Sequence, residues 1–493
     1  MRKAALIIFT AAAALIMITA ACSVEEHTHK FDNWETVKSA TCTEEGEKRA
    51  VCECGEEKTE IISAKGHTFG EWEKVNEATA DKDGEEVRRC NECGYEERRK
   101  IPFEGEETGE KVLITTESQL LEMASGEKTG NYELGADITL TSVWKTAGEF
   151  KGTLDGKNHT VYNMEISSDV FQPDGTSVNY MAAMFSENKG LIKNINFENF
   201  SVNISENSIK NAGYDDVINS MPVKAENLDI HVGLTGLNKG EIENVKVDAY
   251  ITIVPSTPLS RVRCGAVAGK NNGKITGCIT TGSITVIQKD GYIRAGGIAG
   301  YMSDNAFISG CESAAEIKAE NSNAKNNLGG IVGNIECGTV ENCFYSGVIE
   351  SSNSGKSTSA GGIAGLIDNL SGKYETMNIT VSGCCSRARI KDGGIKGSTG
   401  GIIGEIESAV GENKVITLKD CSADSTAEGA KDQGGFLGDL KLYDQSNNKL
   451  SYPLGAEYAP FLVISGNECT QNDDFADVKP SSQLRPFDIF QLA

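Results

Sequence analysis

The chain has 493 residues and a formal net charge of −24 at neutral pH. This length suggests several domains, or one elongated domain with small appendages. The acidic balance argues against nucleic acid and anionic lipid headgroups as main partners, and it fits a well-solvated surface.

The N-terminus is predicted to export the protein. A basic start, MRK, precedes the apolar run ALIIFTAAAALIMITAA, which ends before Cys22. This pattern is typical of a signal peptide, here residues 1–21, and the run is too short for a membrane span. The letters TAAC resemble a bacterial lipobox, which implies a lipidated Cys22 and a tether over 22–28. Ordinary signal cleavage nearby is the alternative. The predicted location is the cell surface, with membrane attachment through the lipid.

Two related cysteine units follow, residues 29–66 and 67–102. Each is too small to bury a core of its own and needs a staple. The units resemble a repeat found in surface proteins of anaerobic gut bacteria, and this resemblance implies no activity. Equivalent positions, most of them 38 residues apart, are His29 and His67, Trp34 and Trp72, Cys42 and Ala80, Cys52 and Cys90, and Cys54 and Cys93. The two tryptophans are expected to anchor the small cores.

Disulfides are the expected staple, because they are the usual cross-link outside the cell. The alternative is a Cys3His zinc set of Cys42, Cys52, Cys54 and a repeat histidine, His29 or His67. Ala80 in place of a cysteine and the tight Cys-x-Cys spacing count against zinc. No cofactor is therefore predicted, with zinc or calcium as alternatives, and the cysteine connectivity stays open.

A polar, acidic linker is predicted over 103–111, followed by a short helix in the sequence ITTESQLLEMAS. Thr116 fits an N-cap, and Gln119 completes a capping box. An apolar face of Leu120, Leu121 and Met123 would let this helix cover the open end of the domain that follows.

Two short motifs alternate through residues 112–445. The first is a glycine motif, and neighbouring copies are mostly 31 to 39 residues apart. Its clearest copies are AGGIAG at 295–300 and 360–365, LGGIVG at 328–333 and TGGIIG at 399–404, and its central apolar residue recurs at Met184, Leu234, Val267, Ile298, Ile331, Ile363, Ile402 and Phe436. The second motif trails by about ten residues, as in IENV at 242–245 and ISGC at 308–311. Such internal repeats indicate a solenoid, a propeller or an array.

An all-β, parallel β-solenoid fits these repeats best. The segments between glycines and asparagines are short, alternating and rich in Val, Ile and Thr, which is typical of strands. Helical periodicity is absent, and most repeats are too short for four-stranded propeller blades. Equivalent strands would stack about 4.8 Å apart along the solenoid axis.

In such a stack each position meets its own copy above and below, so the repeated residues should form ladders. The aliphatic residue is expected to point inward, and the glycines to permit a sharp corner or a close backbone approach. Asn188, Asn238 and Asn271 are expected to form turn hydrogen bonds. The repeat residues are Gly296, Gly297, Ile298, Gly300, Gly329, Gly330, Ile331, Gly333, Gly361, Gly362, Ile363, Gly365, Gly400, Gly401, Ile402 and Gly404.

The last position of the second motif predicts a cysteine ladder. It is filled in turn by Ile195, Val245, Cys278, Cys311, Cys343, Cys384 and Cys421. Isoleucine and valine in the first two copies indicate an inward position, so the cysteines are predicted to be buried thiols. Disulfides between neighbouring coils are the alternative.

The glycine motifs over 180–440 resemble the Glug repeat of bacterial surface proteins and some secreted peptidases. The segment FKGTLDGKNHTVYNM at 150–164 is similar to the first coil of such proteins. The resemblance implies a β-solenoid, in the right-handed form, and says little about function. After residue 445 the repeat fades, and 446–493 is predicted to form a C-terminal cap and tail.

Nothing in the sequence predicts a catalytic centre. The chain has five histidines and no HExxH motif, which excludes a zinc peptidase of that kind. Glycan-cleaving β-helices need clustered carboxylates, or a base with calcium, and neither is evident. Asp155 fits turn chemistry, His159 a structural role, and His231 an isolated, solvent-facing position. Arg387 and Arg389 alternate on one strand, where a solvated face is expected and an acidic sugar is the alternative.

The sequence therefore predicts an exported, lipid-anchored surface protein that binds or adheres without catalysis. Its two cysteine units would act as a stalk for the solenoid. The expected partner is a glycan, a host or bacterial surface protein, or another cell, and nucleic acid is not expected. A carbohydrate-active enzyme on the same fold and a purely structural envelope spacer are the alternatives.

Overall fold

The computed structural model describes most of two compact units, Met1–Thr108 and Gly109–Ala493. The described residues are 29–76, 84–101, 111–126, 128–168, 179–205, 229–255, 259–369, 378–393, 396–411, 413–429, 432–443, 449 and 462–469. The predicted signal peptide, Cys22 and the tether lie outside them. Within these residues, every helix is too short or too polar to cross a membrane.

The first unit holds two three-stranded antiparallel sheets, one for each cysteine unit. Their strands are β1 Trp34–Lys38, β2 Gly46–Val51, β3 Glu57–Ile62, β4 Glu73–Asn76, β5 Gly84–Arg89 and β6 Glu96–Ile101. The predicted tryptophan anchors are only half-buried, and each lies under cations. Lys48 Nζ is 4.6 Å from the Trp34 ring centroid, and the Arg99 guanidinium is 4.2 Å from that of Trp72. Apolar burial alone therefore holds these sheets weakly.

The second unit opens with β7 Lys111–Ile114 and the predicted helix, α1 Glu117–Ser125. The Thr116 side chain caps α1 by accepting from Gln119 N, while the Gln119 side chain accepts from Thr115 N at 2.8 Å. Leu120 and Met123 are buried in the same core as the strands that follow. The linker was predicted to extend to residue 111, but Lys111 is the first residue of β7. The predicted end of the linker is therefore too late in the chain.

Short strands make up the rest of the second unit. The next are β8 Asn131–Leu134, β9 Ile138–Thr139, β10 Ala147–Phe150, β11 Thr153–Asp155, β12 Thr160–Tyr162, β13 Glu165–Ile166, β14 Asn179–Asn188, β15 Leu191–Lys193, β16 Asn196–Ile204, β17 Asp229–Asn238, β18 Glu241–Glu243, β19 Lys246–Ile253, β20 Arg261–Gly265, β21 Ala268–Asn271, β22 Lys274–Thr276, β23 Ile279–Ile287, β24 Tyr292–Gly296, β25 Ala299–Met302, β26 Ala306–Ser309, β27 Glu312–Ser313 and β28 Glu316–Asn321. Then come β29 Asn326–Gly329, β30 Val332–Ile335, β31 Gly338–Glu341, β32 Phe344–Tyr345, β33 Val348–Asn353, β34 Ser357–Gly361, β35 Ala364–Asn369, β36 Ile379–Ser382, β37 Cys385–Ser386, β38 Arg389–Asp392, β39 Lys396–Gly400, β40 Ile403–Ala409, β41 Ile416–Lys419, β42 Ser422–Ala423, β43 Thr426–Glu428, β44 Asp432–Gly434, β45 Leu437–Tyr443, β46 Leu462–Ser465 and β47 Glu468–Cys469.

These strands form three parallel sheets around one core. The first sheet contains the glycine motifs, with β24-β29-β34-β39 before the motif and β25-β30-β35-β40 after it. The second sheet runs β7-β8-β11-β15-β18-β22-β26-β31-β36-β41-β46, and the third includes β16, β19, β23, β28, β33 and β38. Each coil passes through the three sheets in turn, and its strands pair with those of the coils before and after it. Buried side chains from all three sheets belong to one apolar cluster.

The solenoid extends beyond the predicted boundary at residue 445. Strand β46 pairs in parallel with β41, and β47 pairs with β42. The segment predicted as a cap therefore supplies strands of a further coil. At the other end, β7 and β8 precede β11, so the array begins before the segment predicted as its first coil.

The glycines of the motif are needed because backbone atoms of neighbouring segments approach them closely, and not because their own backbone angles are unusual. The φ angles of Gly296, Gly330 and their counterparts lie outside the left-handed region. A Cβ on Gly333 would come within 2.6 Å of Gly300 O, and one on Gly296 would collide with Ala299 O. The central aliphatic residues point inward as predicted, and Ile298 and Ile331 are fully buried.

Backbone freedom is needed in the second motif instead. The residue before the inward position adopts a left-handed φ of 51° to 65° in eight successive coils: Asn194, Asn244, Gly277, Gly310, Asn342, Gly383, Asp420 and Gly466. Glycine and asparagine tolerate this conformation best. This requirement explains why Asn, Gly and Asp alternate at that position.

Two ladders run along the stack. Asn188 Nδ2 donates to Asn238 Oδ1, and Asn238 Nδ2 donates to Asn271 Oδ1, each at 2.8 Å and fully buried. The predicted turn bond is also present, since Gly190 N donates to Asn188 Oδ1 at 3.1 Å. The cysteine ladder consists of buried thiols that form no disulfide: Cys278, Cys311, Cys343, Cys384 and Cys421.

Candidate functional site

A band of buried polar residues lies on the outer face of the first sheet. We call it the polar stripe; it consists of the residues that lie three before and four after the second glycine position of the motif. These residues alternate with core side chains, so they point away from the core. The row before the motif is His231, Arg263, Arg294, Asn327, Ser359 and Ser398, and the row after it is Leu237, Lys270, Tyr301, Asn334, Leu366 and Glu405.

The two rows contact each other across the motif. Asn327 Nδ2 donates to Asn334 Oδ1 at 3.2 Å, and Ser359 Oγ donates to Glu405 Oε2 at 2.5 Å. The outer faces of the two strand segments therefore turn toward each other. This explains why outward-pointing polar residues such as Asn334 are fully buried.

One half of the stripe is basic and is built around Tyr301. The guanidinium carbons of Arg294 and Arg263 lie 4.5 Å and 5.1 Å from the centre of its ring, and Lys270 Nζ lies 5.6 Å away. The Tyr301 hydroxyl donates to Glu336 at 2.6 Å. Burial and the adjacent Arg263 lower the pKa of Arg294, and Arg294 Nε has no hydrogen-bond partner. The site thus holds two guanidinium groups close together at partial solvation.

His231 belongs to this basic half, and the prediction that it faces solvent was wrong. It is 3% exposed, and its Nε2 is 2.7 Å from Arg263 Nη1. That guanidinium also donates to Asp229 at 2.7 Å, and Arg261 donates to the same carboxylate at 3.3 Å. Burial, followed by the charges of Arg263 and Lys270, holds the pKa of His231 well below its ordinary value. The imidazole is therefore neutral and accepts from Arg263.

The other half of the stripe has one charged residue, Glu405, and its charge is paired. Glu405 is 1% exposed and contacts Lys325 at 2.8 Å and Lys441. Burial raises its pKa, but the two lysines and the Ser359 hydroxyl outweigh that effect and lower the pKa to about 2. Glu405 is therefore ionised at neutral pH and does not suit the role of general acid.

The remaining predicted residues lie elsewhere. Asp155 Oδ1 accepts from Lys157 N at 2.9 Å, which is the predicted turn chemistry. His159 Nδ1 is 3.1 Å from Asp137 Oδ1 in a structural contact. Arg387 and Arg389 are both exposed on the third-sheet side, as predicted from their alternation.

Among the residues that the structure describes, the cysteine units contain two clusters of side chains that could hold a metal ion. Cys42, His67, Cys90 and Cys93 form one, and His29, Cys52 and Cys54 form the other. The zinc set considered from sequence is therefore grouped wrongly, because the structure divides Cys42 and His67 from Cys52 and Cys54. Sequence reasoning had assumed that each unit uses its own cysteines. The described cysteines of both clusters form no disulfide.

The parallel coils, the single core and the ladders define a parallel β-solenoid. Among solved structures, the chain is similar to an IgA1 Protease at a TM-score of 0.38 and 11% sequence identity. The match covers 87% of this chain and 26% of that chain, and such a TM-score carries no argument about function. No protein-family model and no curated protein matches the sequence. The resemblance to Glug repeats stays a prediction.

Proposed function

We propose that this protein is a non-catalytic binding protein of the cell surface, and that the basic half of the polar stripe binds acidic groups of a glycan or glycoprotein. Export and attachment through Cys22 are part of the proposal and rest on the signal sequence. The repeated coils present one outer surface over many copies, which suits binding to an extended partner.

Arg294 carries the argument for an acidic ligand. Its guanidinium lies against the same Tyr301 ring as that of Arg263, and the charge of Arg263 disfavours the charged form of Arg294. A carboxylate or sulfate at this place would relieve the repulsion and meet the planar donor fork of arginine. Arg387 and Arg389 are exposed instead, so water screens an anion bound there.

Retention on immobilised glycans tests the proposal. The chain from residue 23 onward would be applied to acidic glycans and to their neutral counterparts, with and without calcium, and soluble products would be analysed. Arg294→Gln is expected to weaken retention on acidic glycans about tenfold, the loss of one charge-assisted hydrogen bond. Arg389→Gln is the matched control and should leave retention unchanged.

The other outcomes separate the alternatives. Equal losses in both variants would place the ligand elsewhere or reduce it to nonspecific charge attraction. Appearance of cleavage products would establish a carbohydrate-active enzyme. Absence of both retention and cleavage would favour the structural spacer.

A further inference from the structure

We propose that Cys42, His67, Cys90 and Cys93 bind one structural zinc ion, and that a cysteine of one unit completes the site of the next. Their ligand atoms all lie within 4.8 Å of one another. Three thiolates and one imidazole form a ligand set that zinc commonly takes in structural sites.

The distances suit a shared metal rather than a disulfide. Cys42 Sγ and Cys90 Sγ are 3.8 Å apart, and Cys93 Sγ is 3.3 Å from His67 Nδ1. Zinc–sulfur bonds of about 2.3 Å at tetrahedral angles place two sulfur atoms roughly 3.8 Å apart. A disulfide would require about 2.05 Å between them.

The backbone around the cysteine pair is folded to present both sulfur atoms. Cys90 N donates to Tyr95 O at 2.8 Å, and Gly94 N donates to Cys90 O at 2.9 Å. Gly94 has a left-handed φ of 73°, which closes the turn. The first unit has a turn one residue shorter at the equivalent place, where Gly55 N donates to Cys52 O at 2.8 Å.

A cysteine contributed by one unit to the site of the next explains why the second unit lacks its own first cysteine, which had counted against zinc. Cys42 lies in the first unit, but its partners Cys90 and Cys93 lie in the second. The second unit has Ala80 where the first has Cys42, and no third such unit follows in the sequence to receive a cysteine. Among the described residues, the other cluster of His29, Cys52 and Cys54 has three members.

The metal would supply the staple that these sheets need. Cys42 and Cys90 are buried, whereas Cys93 is exposed, so the ion would lie at the edge of the small core. Binding would release the thiol protons to solvent and join the two sheets through a single ion. This proposal is independent of the ligand proposed for the polar stripe.

Zinc content and thiol protection test the site without any variant. The chain from residue 23 onward, produced with zinc and dialysed, is expected to retain zinc. Cys42, Cys90 and Cys93 should then resist alkylation until a chelator is added, as read by peptide mass spectrometry. The exposed Cys93 is the decisive residue, because its accessible thiol has no other protection.

Two variants separate this site from the three-residue cluster. Cys42→Ser should lose the zinc and the protection of Cys93. Cys54→Ser, at the position equivalent to Cys93 in the first unit, should keep both. A disulfide joining Cys42 to Cys90, failure to retain zinc, or loss of Cys93 protection in Cys54→Ser but not in Cys42→Ser would overturn the proposal.

Discussion

Glu405 offers the sharpest test of how the polar stripe is held together. Its carboxylate accepts from Ser359 Oγ and lies between Lys325 and Lys441, at 1% exposure. The pKa of Glu405 is about 2 in the folded protein, against roughly 4.3 in an unfolded chain. At about 1.4 kcal/mol per pKa unit, the ionised group contributes about 3 kcal/mol to the free energy of unfolding.

The sign of the pH dependence follows from the lowered pKa. The contribution is fully present above about pH 5, because the carboxyl group is then ionised in both states. It is lost as the pH falls toward 2, where the folded protein must also take up the proton. In Glu405→Gln the lysines lose a buried partner, which typically costs about 3–5 kcal/mol at neutral pH.

Urea denaturation followed by circular dichroism at pH 7 and pH 3 measures both effects. Glu405→Gln should unfold at lower urea than the unsubstituted protein at pH 7, and the gap should narrow at pH 3. Glu407→Gln is the control, because Glu407 is more exposed and lies 3.3 Å from Lys325. A Glu405→Gln protein that is fully stable at pH 7, or a gap that is equally wide at pH 3, would refute this reasoning.

Three further predictions test the solenoid and its export. Ile331→Asp buries an unpaired charge and should destabilise the array by about 4 kcal/mol or more, which would make it sensitive to limited proteolysis. The control Val463→Asp, at an exposed position, should stay resistant to the protease. A resistant Ile331→Asp protein would contradict the inward ladder. Asn238→Ala removes the middle amide of the asparagine ladder and should lower the free energy of unfolding by about 1–3 kcal/mol, as measured by urea denaturation. Asn323→Ala, at an exposed position, should lower it little. Equal losses in the two variants would show that the buried ladder does not stabilise the fold more than an exposed asparagine does. Cys22→Ser should move the protein from the membrane fraction to the medium, and continued membrane retention would contradict lipidation.

The architecture could be predicted from the repeats because each coil has the same kind of residue at its inward-facing positions. The aliphatic position of Ile298 and the cysteine position of Cys278 could both be placed in the core from sequence. The sequence left two possible roles for the glycines of the motif, a sharp corner or a close backbone approach. Close approach, as at Gly333, involves backbone atoms of another coil, and local sequence does not show them.

The candidate sites were harder to predict, because their members come from different coils or units. His231 looked isolated, since its partner Arg263 is 32 residues away and meets it only through parallel pairing. The cluster of Cys42 with Cys90 spans 48 residues and crosses from one repeat to the next. Knowledge of the register between coils would have been enough to place His231 beside Arg263. The sequence around Cys42, in contrast, gives no sign that its partners lie in the second cysteine unit.

The asparagine ladder also bears on how such an array can change its length in evolution. Asn188 donates to the equivalent Asn238 one coil further on, and Asn238 donates to Asn271 at a separation of 33 residues. A duplicate of the coil that holds Asn238 would therefore find, at both of its faces, asparagine partners like those of its parent. Gene duplication could lengthen the outer surface of the solenoid in steps of about 4.8 Å, the strand spacing, while the older coils keep their sequence.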